Sequence, residues 1–240
     1  IDPKPTLAPE RQRFTTAALK AMIVPLVIES VLQMVVGLAD TMMASHAGEG
    51  VLTGVGLDNL IITIFIYLFT ALSAGGAVVV SQYIGSRDGK NADLSASQVF
   101  HIAGLLSLAC TALMLLFGPA LIDGVFASKS DAVRSACKTY LWIVALSFPA
   151  NAVYNAGAAV FRAMGQTSIT MWVTLVGNIV NIIGNAIGVF ALHAGAAGVA
   201  WPTTISWYLN AAIMTWLCLG TPGGEALLER MKAERKAKVI

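Results

Sequence analysis

The sequence predicts an all-α polytopic membrane protein, a bundle of six transmembrane helices. Three observations predict it. Of the 240 residues, 57% are hydrophobic and only 12% charged, where a soluble domain carries about 25% charged residues. Apolar windows long enough to cross a bilayer, about 20 residues as a helix, occur six times along the chain. The Lys and Arg residues gather on one side of those windows, as short cytoplasmic loops require.

The polar segment 1–16, with Pro3, Pro5 and Pro9, reads as a cytoplasmic N-terminal segment and is too polar for a signal peptide. The unit 17–220 holds the six windows: Ala17 to Ser45, Val51 to Gly85, Ser95 to Phe117, Tyr140 to Phe161, Ile169 to Leu192, and Gly195 to Leu219. The second is long enough to tilt or to project beyond the membrane. The connection from Gly118 to Lys138 reads as a short interfacial segment leading to the polar entrance of the fourth helix. Pro25, Pro149 and Pro202 fall inside helices one, four and six, where a lost backbone hydrogen bond favours a kink. In the segment 221–240, the breaker Pro222-Gly223-Gly224 is followed by alternating Glu and Lys or Arg, as expected of a charged cytoplasmic tail or inter-lobe linker.

Six crossings put both termini on one side. That side collects 12 of the 15 basic residues, Arg162 among them, and leaves only Lys129, Arg134 and Lys138 opposite, so both termini are expected in the cytoplasm.

The first helix carries the most informative pattern. From Met22 to Ser45 it is apolar except for Pro25, Glu29, Gln33, Gly37 and Asp40. At about 100° per residue, Gln33 lies about 40° and Asp40 about 20° from Glu29, on one stripe. An acid in hydrocarbon is costly by at least about 2.5 kcal/mol, so such a stripe faces a cavity, an ion path or a partner helix. The alternative is that Glu29 and Asp40 only hydrogen-bond to neighbouring helices and lock the bundle. Helix five repeats the theme with Asn178, Asn181 and Asn185 on one face, beside Gly177, Gly184 and Gly188, small residues that let a neighbouring helix approach closely. Helix four adds Asn151, Tyr154 and Asn155. Helix six adds Thr203, Thr204, Ser206 and Asn210, hydroxyls and an amide that either line a cavity or cap carbonyls freed by Pro202.

Carboxylate, amide and hydroxyl oxygens are hard donors, suited to alkali or alkaline-earth ions or to a proton held on the acid. One carboxylate cannot hold a proton and a cation together, so the two compete, and competition is a coupling mechanism. Other chemistries find no support. Cys110, Cys137 and Cys218 lack disulfide or zinc spacing, the three histidines are scattered, and no Walker A, G-x-S-x-G or H-E-x-x-H motif occurs. No cofactor is indicated, and dispersed basic residues give no nucleic-acid footprint.

Several motifs in order resemble the multidrug and toxic compound extrusion (MATE) transporters, within a wider group that includes lipid-linked polysaccharide flippases. They are Leu38 to Gly48 leading to Val55-Gly56-Leu57, Ser81-Gln82-Tyr83-Ile84-Gly85, Phe161 to Thr167, Asn178 to Asn185, and Gly195 to Thr203. The resemblance covers nearly all of Ala17 to Leu219, but only one six-helix lobe of a family that has two. It implies an antiporter in which Na+ or H+ entry drives export of amphipathic, often cationic compounds by alternating access. By position, Asp40 would be the acid that takes a proton or helps bind Na+, Asn181 and Thr203 would be oxygen ligands, and Pro25 would let helix one bend. Where many relatives have an aspartate, this chain has Asn185, which leaves Asp40 the only matched acid. Glu29 is offered to supply the missing charge or meet a cationic substrate, with Gln33, Asn155 and Asn178 lining the cavity.

A lone lobe has nothing to rock against, so the expectation is a homodimer, a sister chain supplying the second lobe, or a truncated non-transporting fragment or scaffold. A third reading is a flippase for lipid-linked sugar. That one calls for a basic cavity, and the expected cavity has Glu29 and Asp40 but no Lys or Arg, which favours cationic substrates. Met34, Phe65, Tyr67, Tyr154 and Trp172 either line a permissive pocket or face lipid and core. A bacterial inner membrane suits both the family and the charge bias.

Overall fold

A computed structural model describes residues 16–220, so the expectations for the N-terminal segment before them and for the charged tail lie outside the described residues. The described chain forms α1 (Thr16–His46), α2 (Glu49–Ser86), α3 (Gly89–Val125), α4 (Asp131–Ala145), α5 (Phe148–Ala163), α6 (Thr167–Ala186) and α7 (Gly195–Gly220), with a π-helical turn at Ile187–Ala191 after α6. α1, α2, α3 and α6 with its π turn are each long and apolar enough to cross a membrane, and α4 with α5 makes a fifth candidate as one bent span. The chain is a multi-pass membrane protein. The sixth predicted span corresponds to α7, which carries Pro202 inside it.

Two predicted boundaries need correction. The fourth window is two helices bent by 47° at Leu146 and Ser147. Pro149 therefore sits in the first turn of α5 rather than inside a helix, a position where its missing N–H has no intrahelical partner to lose. The stretch from Gly118 to Lys138 is largely helical: α3 runs through Pro119 to Val125, and α4 starts at Asp131 behind the Ser130 cap. The connection expected to lie at the interface is a turn of only a few residues.

The break between α4 and α5 leaves carbonyls that cannot be satisfied inside one helix, and in a membrane each must find a donor. Thr204 donates to Ile143 O at 3.1 Å, Tyr208 to Leu146 O at 2.9 Å, and Thr111 to Ala145 O at 3.2 Å. The hydroxyl of Thr204 thus serves the break in its neighbour, not the carbonyl freed by Pro202. Thr203 and Ser206 bond back along α7, to Val199 O and Thr203 O.

Packing divides the elements. α2 is the hub, against α3, α4 and α5, while α1 lies mainly along α6 and α6 along α7. Phe69, Phe148, Phe161, Leu141 and Met214 are fully buried, with Phe65 stacked on Phe148 at 5.0 Å. Apolar burial drives little between helices in lipid, so close approach has to be built from small residues. The glycine face of the fifth predicted helix does this against α7. A Cβ at Gly177 would lie 2.2 Å from the Asn210 side chain, and one at Gly188 would lie 2.2 Å from Gly198 O. Gly198 O is the carbonyl four residues before Pro202, the one that proline leaves without its helical donor. The π turn and the proline therefore meet where the two backbones touch.

Candidate functional site

Packing α1 against α6 turns the polar stripe of α1 inward, where it faces α5, α6 and α7 across a cavity of about 560 Å³. Glu29, Gln33, Asp40, Asn155, Asn178, Asn181 and Thr203 all line it. Asn185 lies behind the wall, fully buried, and Pro25 is buried in α1 below the cavity. Gln33 and Asn59 at the rim are exposed.

Three polar groups line the cavity. Asp40 and Glu29 stand about 16 Å apart along α1, eleven residues at about 1.5 Å each. At the first group Asn185 Nδ2 donates to an Asp40 carboxylate oxygen and, at 3.1 Å, to Asn181 Oδ1. Asn181 Nδ2 in turn donates to Thr203 Oγ1 at 3.0 Å. The four residues that resemblance singled out are one hydrogen-bonded chain across α1, α6 and α7. It exists because Asn181 and Asn185 are one turn apart on α6 and glycines let α7 close in. Asn185 Oδ1 is buried with no hydrogen-bond partner among the described residues. The oxygens of Asp40, Asn181 and Thr203 are hard donors of the kind that suits a small monovalent cation. Asn185, which presents its Nδ2 to Asp40 and Asn181, would add Oδ1 to them only with its amide turned over.

The second group surrounds Glu29. Arg162 Nη2 donates to Glu29 Oε1 at 2.7 Å, Tyr154 Oη to the same oxygen at 3.2 Å, and Thr170 Oγ1 to Oε2 at 2.8 Å. Tyr154 also shares a 2.6 Å hydrogen bond with Thr174. The expectation of a cavity without Lys or Arg is therefore corrected: Arg162 lines it, forms its ion pair with Glu29, and joins α5 to α1. Glu29 is held by these three donors rather than placed beside Asp40. A third cluster runs from Thr70 to Asn155 Oδ1 and from Asn155 Nδ2 to Asn151 Oδ1, on the wall between α2 and α5.

Of the candidate aromatic and Met residues, only Tyr154 lines the cavity. Phe65 packs on the core, while Met34, Tyr67 and Trp172 point outward. The cysteines are free, and no group of three or more His, Cys, Asp or Glu side chains that could hold a metal occurs among the described residues.

Arg162 was legible in principle. It lies seven residues after Asn155 and eleven after Asn151, within about 20° of each around α5. Counting it among loop cations hid that stripe. Thr170 and Thr174 likewise extend the asparagine face of α6. Asp58, an acid inside an apolar run, is a further residue the sequence pattern offered and the stripe argument passed over.

The chain matches the MatE family over residues 25–187. It is 34% identical over 196 residues to the uncharacterized transporter YisQ of Bacillus subtilis, covering 80% of this chain and 42% of that one. To the probable multidrug resistance protein NorM of Thermotoga maritima it is 29% identical, covering 82% and 43%. The structure superposes with a TM-score of 0.78 and 25% identity on an outward-facing multidrug resistance MATE family transporter of the MOP superfamily, covering 83% of this chain and 44% of that one. The chain spans less than half the length of these relatives.

Proposed function

Since the chain belongs to the MatE family, we propose that it is a six-span lobe of a cation-coupled exporter of amphipathic, often cationic compounds, with α7 as the sixth span. The observation that carries the proposal is the hydrogen-bonded chain Asp40–Asn185–Asn181–Thr203 at the wall of an open cavity. Asp40 takes the coupling ion, either H+ on the carboxylate or Na+ shared with Asn181 and Thr203, and for Na+ the Asn185 amide turns over so that Oδ1 replaces the Nδ2 that now faces Asp40. Release of that ion returns the charge of Asp40 to the cavity. The Glu29–Arg162 pair contributes no net charge, so Asp40 sets the sign and a cationic substrate is favoured.

Coupling follows from exclusion: substrate and ion compete for one carboxylate, so each drives the other off. Alternating access needs a second lobe, supplied by another copy of the chain or by a sister chain around a shared site. Both termini lie in the cytoplasm and the host bilayer is a bacterial inner membrane, in keeping with the basic-residue bias. A flippase reading has less support. Its pyrophosphate substrate calls for several uncompensated cations, and among the described residues Arg162, the arginine of this cavity, is paired to Glu29.

The test is cationic dye efflux from proteoliposomes under an imposed Na+ or H+ gradient, with the particle mass measured on the same preparation. The proposal expects gradient-dependent efflux that stops in Asp40→Asn. Efflux unaffected by that substitution would overturn it.

A further inference from the structure

Asp58 belongs to none of the polar groups of the cavity. It sits on α2 one residue before the cavity-lining Asn59, is 0% exposed, and has no hydrogen-bond partner for either carboxyl oxygen among the described residues. One turn earlier on α2, Gly54 lies against Ala136 and the Cys137 backbone of α4, and Cys137 Sγ donates to Gly54 O at 3.5 Å. The next turn brings Asp58 to the level of Tyr140. The titratable groups in electrostatic reach are Cys137 and Tyr140 of α4; Tyr140 in turn lies within reach of Asp40 of α1. No Lys or Arg of the described residues pairs with Asp58.

A carboxylate so placed would be a buried charge with neither counter-ion nor donor, which costs several kcal/mol. A carboxylic acid buries no net charge. A carboxyl group that makes no hydrogen bond also gives the α2–α4 contact nothing that an apolar residue would not. What distinguishes Asp from Leu or Asn at this place is the proton it can take up and give back. Tyr140, at the level of Asp58 on α4, lines the same cavity as Asp40.

We propose that Asp58 is a proton-binding carboxyl group of this chain that exchanges with the cavity through the Tyr140 hydroxyl. In the exchange the Asp58 side chain turns to the Tyr140 hydroxyl, a hydrogen bond it does not make in the resting structure; the phenol oxygen then accepts the Asp58 proton as the phenol proton passes to water in the cavity. Tyr140 ends neutral, Asp58 ends ionised, and one proton has moved. Uptake is the reverse. The lobe would then carry a second acid on α2, in place of the one that α6 lacks at Asn185. The proton site stands on the packing of α2 against α4 and is tested without transport, so a failure of the export proposal leaves it intact.

The experiment is infrared spectroscopy of the purified chain in lipid nanodiscs at neutral pH. The wild type is expected to show the carbonyl stretch of a protonated carboxyl group that is missing from Asp58→Asn, and that band should shift when the sample is moved into D2O. In Tyr140→Phe, which keeps Asp58, the band should remain but its shift should be about tenfold slower or more, the size of a 1.4 kcal/mol barrier. If Asp58→Asn does not fold, Asp58→Glu assigns the band instead, since it should move the carbonyl frequency of that one group and leave those of Asp40 and Glu29 in place. Identical spectra for wild type and a folded Asp58→Asn, or an equally fast D2O shift in Tyr140→Phe, would overturn the proposal.

Discussion

Replacing Arg162 by Gln removes the only counter-charge that Glu29 has among the described residues. The Glu29 side chain is 4% exposed, and after the change it keeps two neutral donors, Thr170 at 2.8 Å and Tyr154 at 3.2 Å. Breaking a buried ion pair by deleting one partner costs about 3–5 kcal/mol. Arg162 is 34% exposed, so solvent already screens the pair and the lower end, about 3 kcal/mol, is the expectation. For a chain of this size about 2–4 °C of melting temperature is lost per kcal/mol, which gives a drop of about 6–12 °C. The assay is thermal unfolding of the detergent-solubilised protein followed by the loss of its monodisperse peak. Replacing both partners, Glu29→Gln with Arg162→Gln, leaves no uncompensated charge and should recover most of the loss, because the cost lies in the orphaned acid. A drop under about 2 °C for Arg162→Gln, or a double variant no more stable than the single one, would refute the reasoning.

Further outcomes follow from other contacts. Asn185→Asp would place a second carboxylate against Asp40, and the coupled cation should bind more tightly in a 22Na+ binding assay, since ligand charge adds to its attraction. Gly188→Ala would drive a Cβ to 2.2 Å from the Gly198 carbonyl, a backbone atom with nowhere to move. Overpacking of this kind costs about 1–3 kcal/mol, read as a lower melting temperature. Pro149→Ala should leave stability nearly unchanged, because the proline sits in the first turn of α5. Tyr154→Phe removes the hydroxyl shared by Glu29 and Thr174 and should cost about 0.5–1.5 kcal/mol in the same unfolding assay.

Much of this arrangement was legible in the sequence, and the reasons differ by element. The inward stripe of α1 and the asparagine face of α6 follow from helical period alone, because polar residues in a membrane helix cannot face lipid. The glycines beside those asparagines announced a close neighbour, and α7 is that neighbour. Hydropathy windows could not find the break at Leu146 and Ser147, since apolar residues run up to it from both sides. What holds the break open is Thr111, Thr204 and Tyr208 reaching in from α3 and α7, and such tertiary hydrogen bonds leave no local period. The pairing of Glu29 with Arg162, 133 residues away along the chain, is hidden for the same reason. A basic residue at a helix end reads as a loop cation until the long guanidinium is seen to reach back into the bundle. α7 is not among the helices long and apolar enough to cross a membrane, because threonines, Asn210 and Pro202 dilute its hydropathy while serving the helices around it.

The most direct test of the central claim, that Asp40 is the group over which substrate and coupling ion compete, is equilibrium binding of a fluorescent cationic dye to the purified chain, titrated with Na+ and with acid. It requires neither a second lobe nor turnover. The account predicts that dye affinity falls as Na+ or H+ rises and that Asp40→Asn both weakens the dye and abolishes its dependence on either ion. Dye binding that ignores both ions, or that keeps its ion dependence in a folded Asp40→Asn, would contradict it.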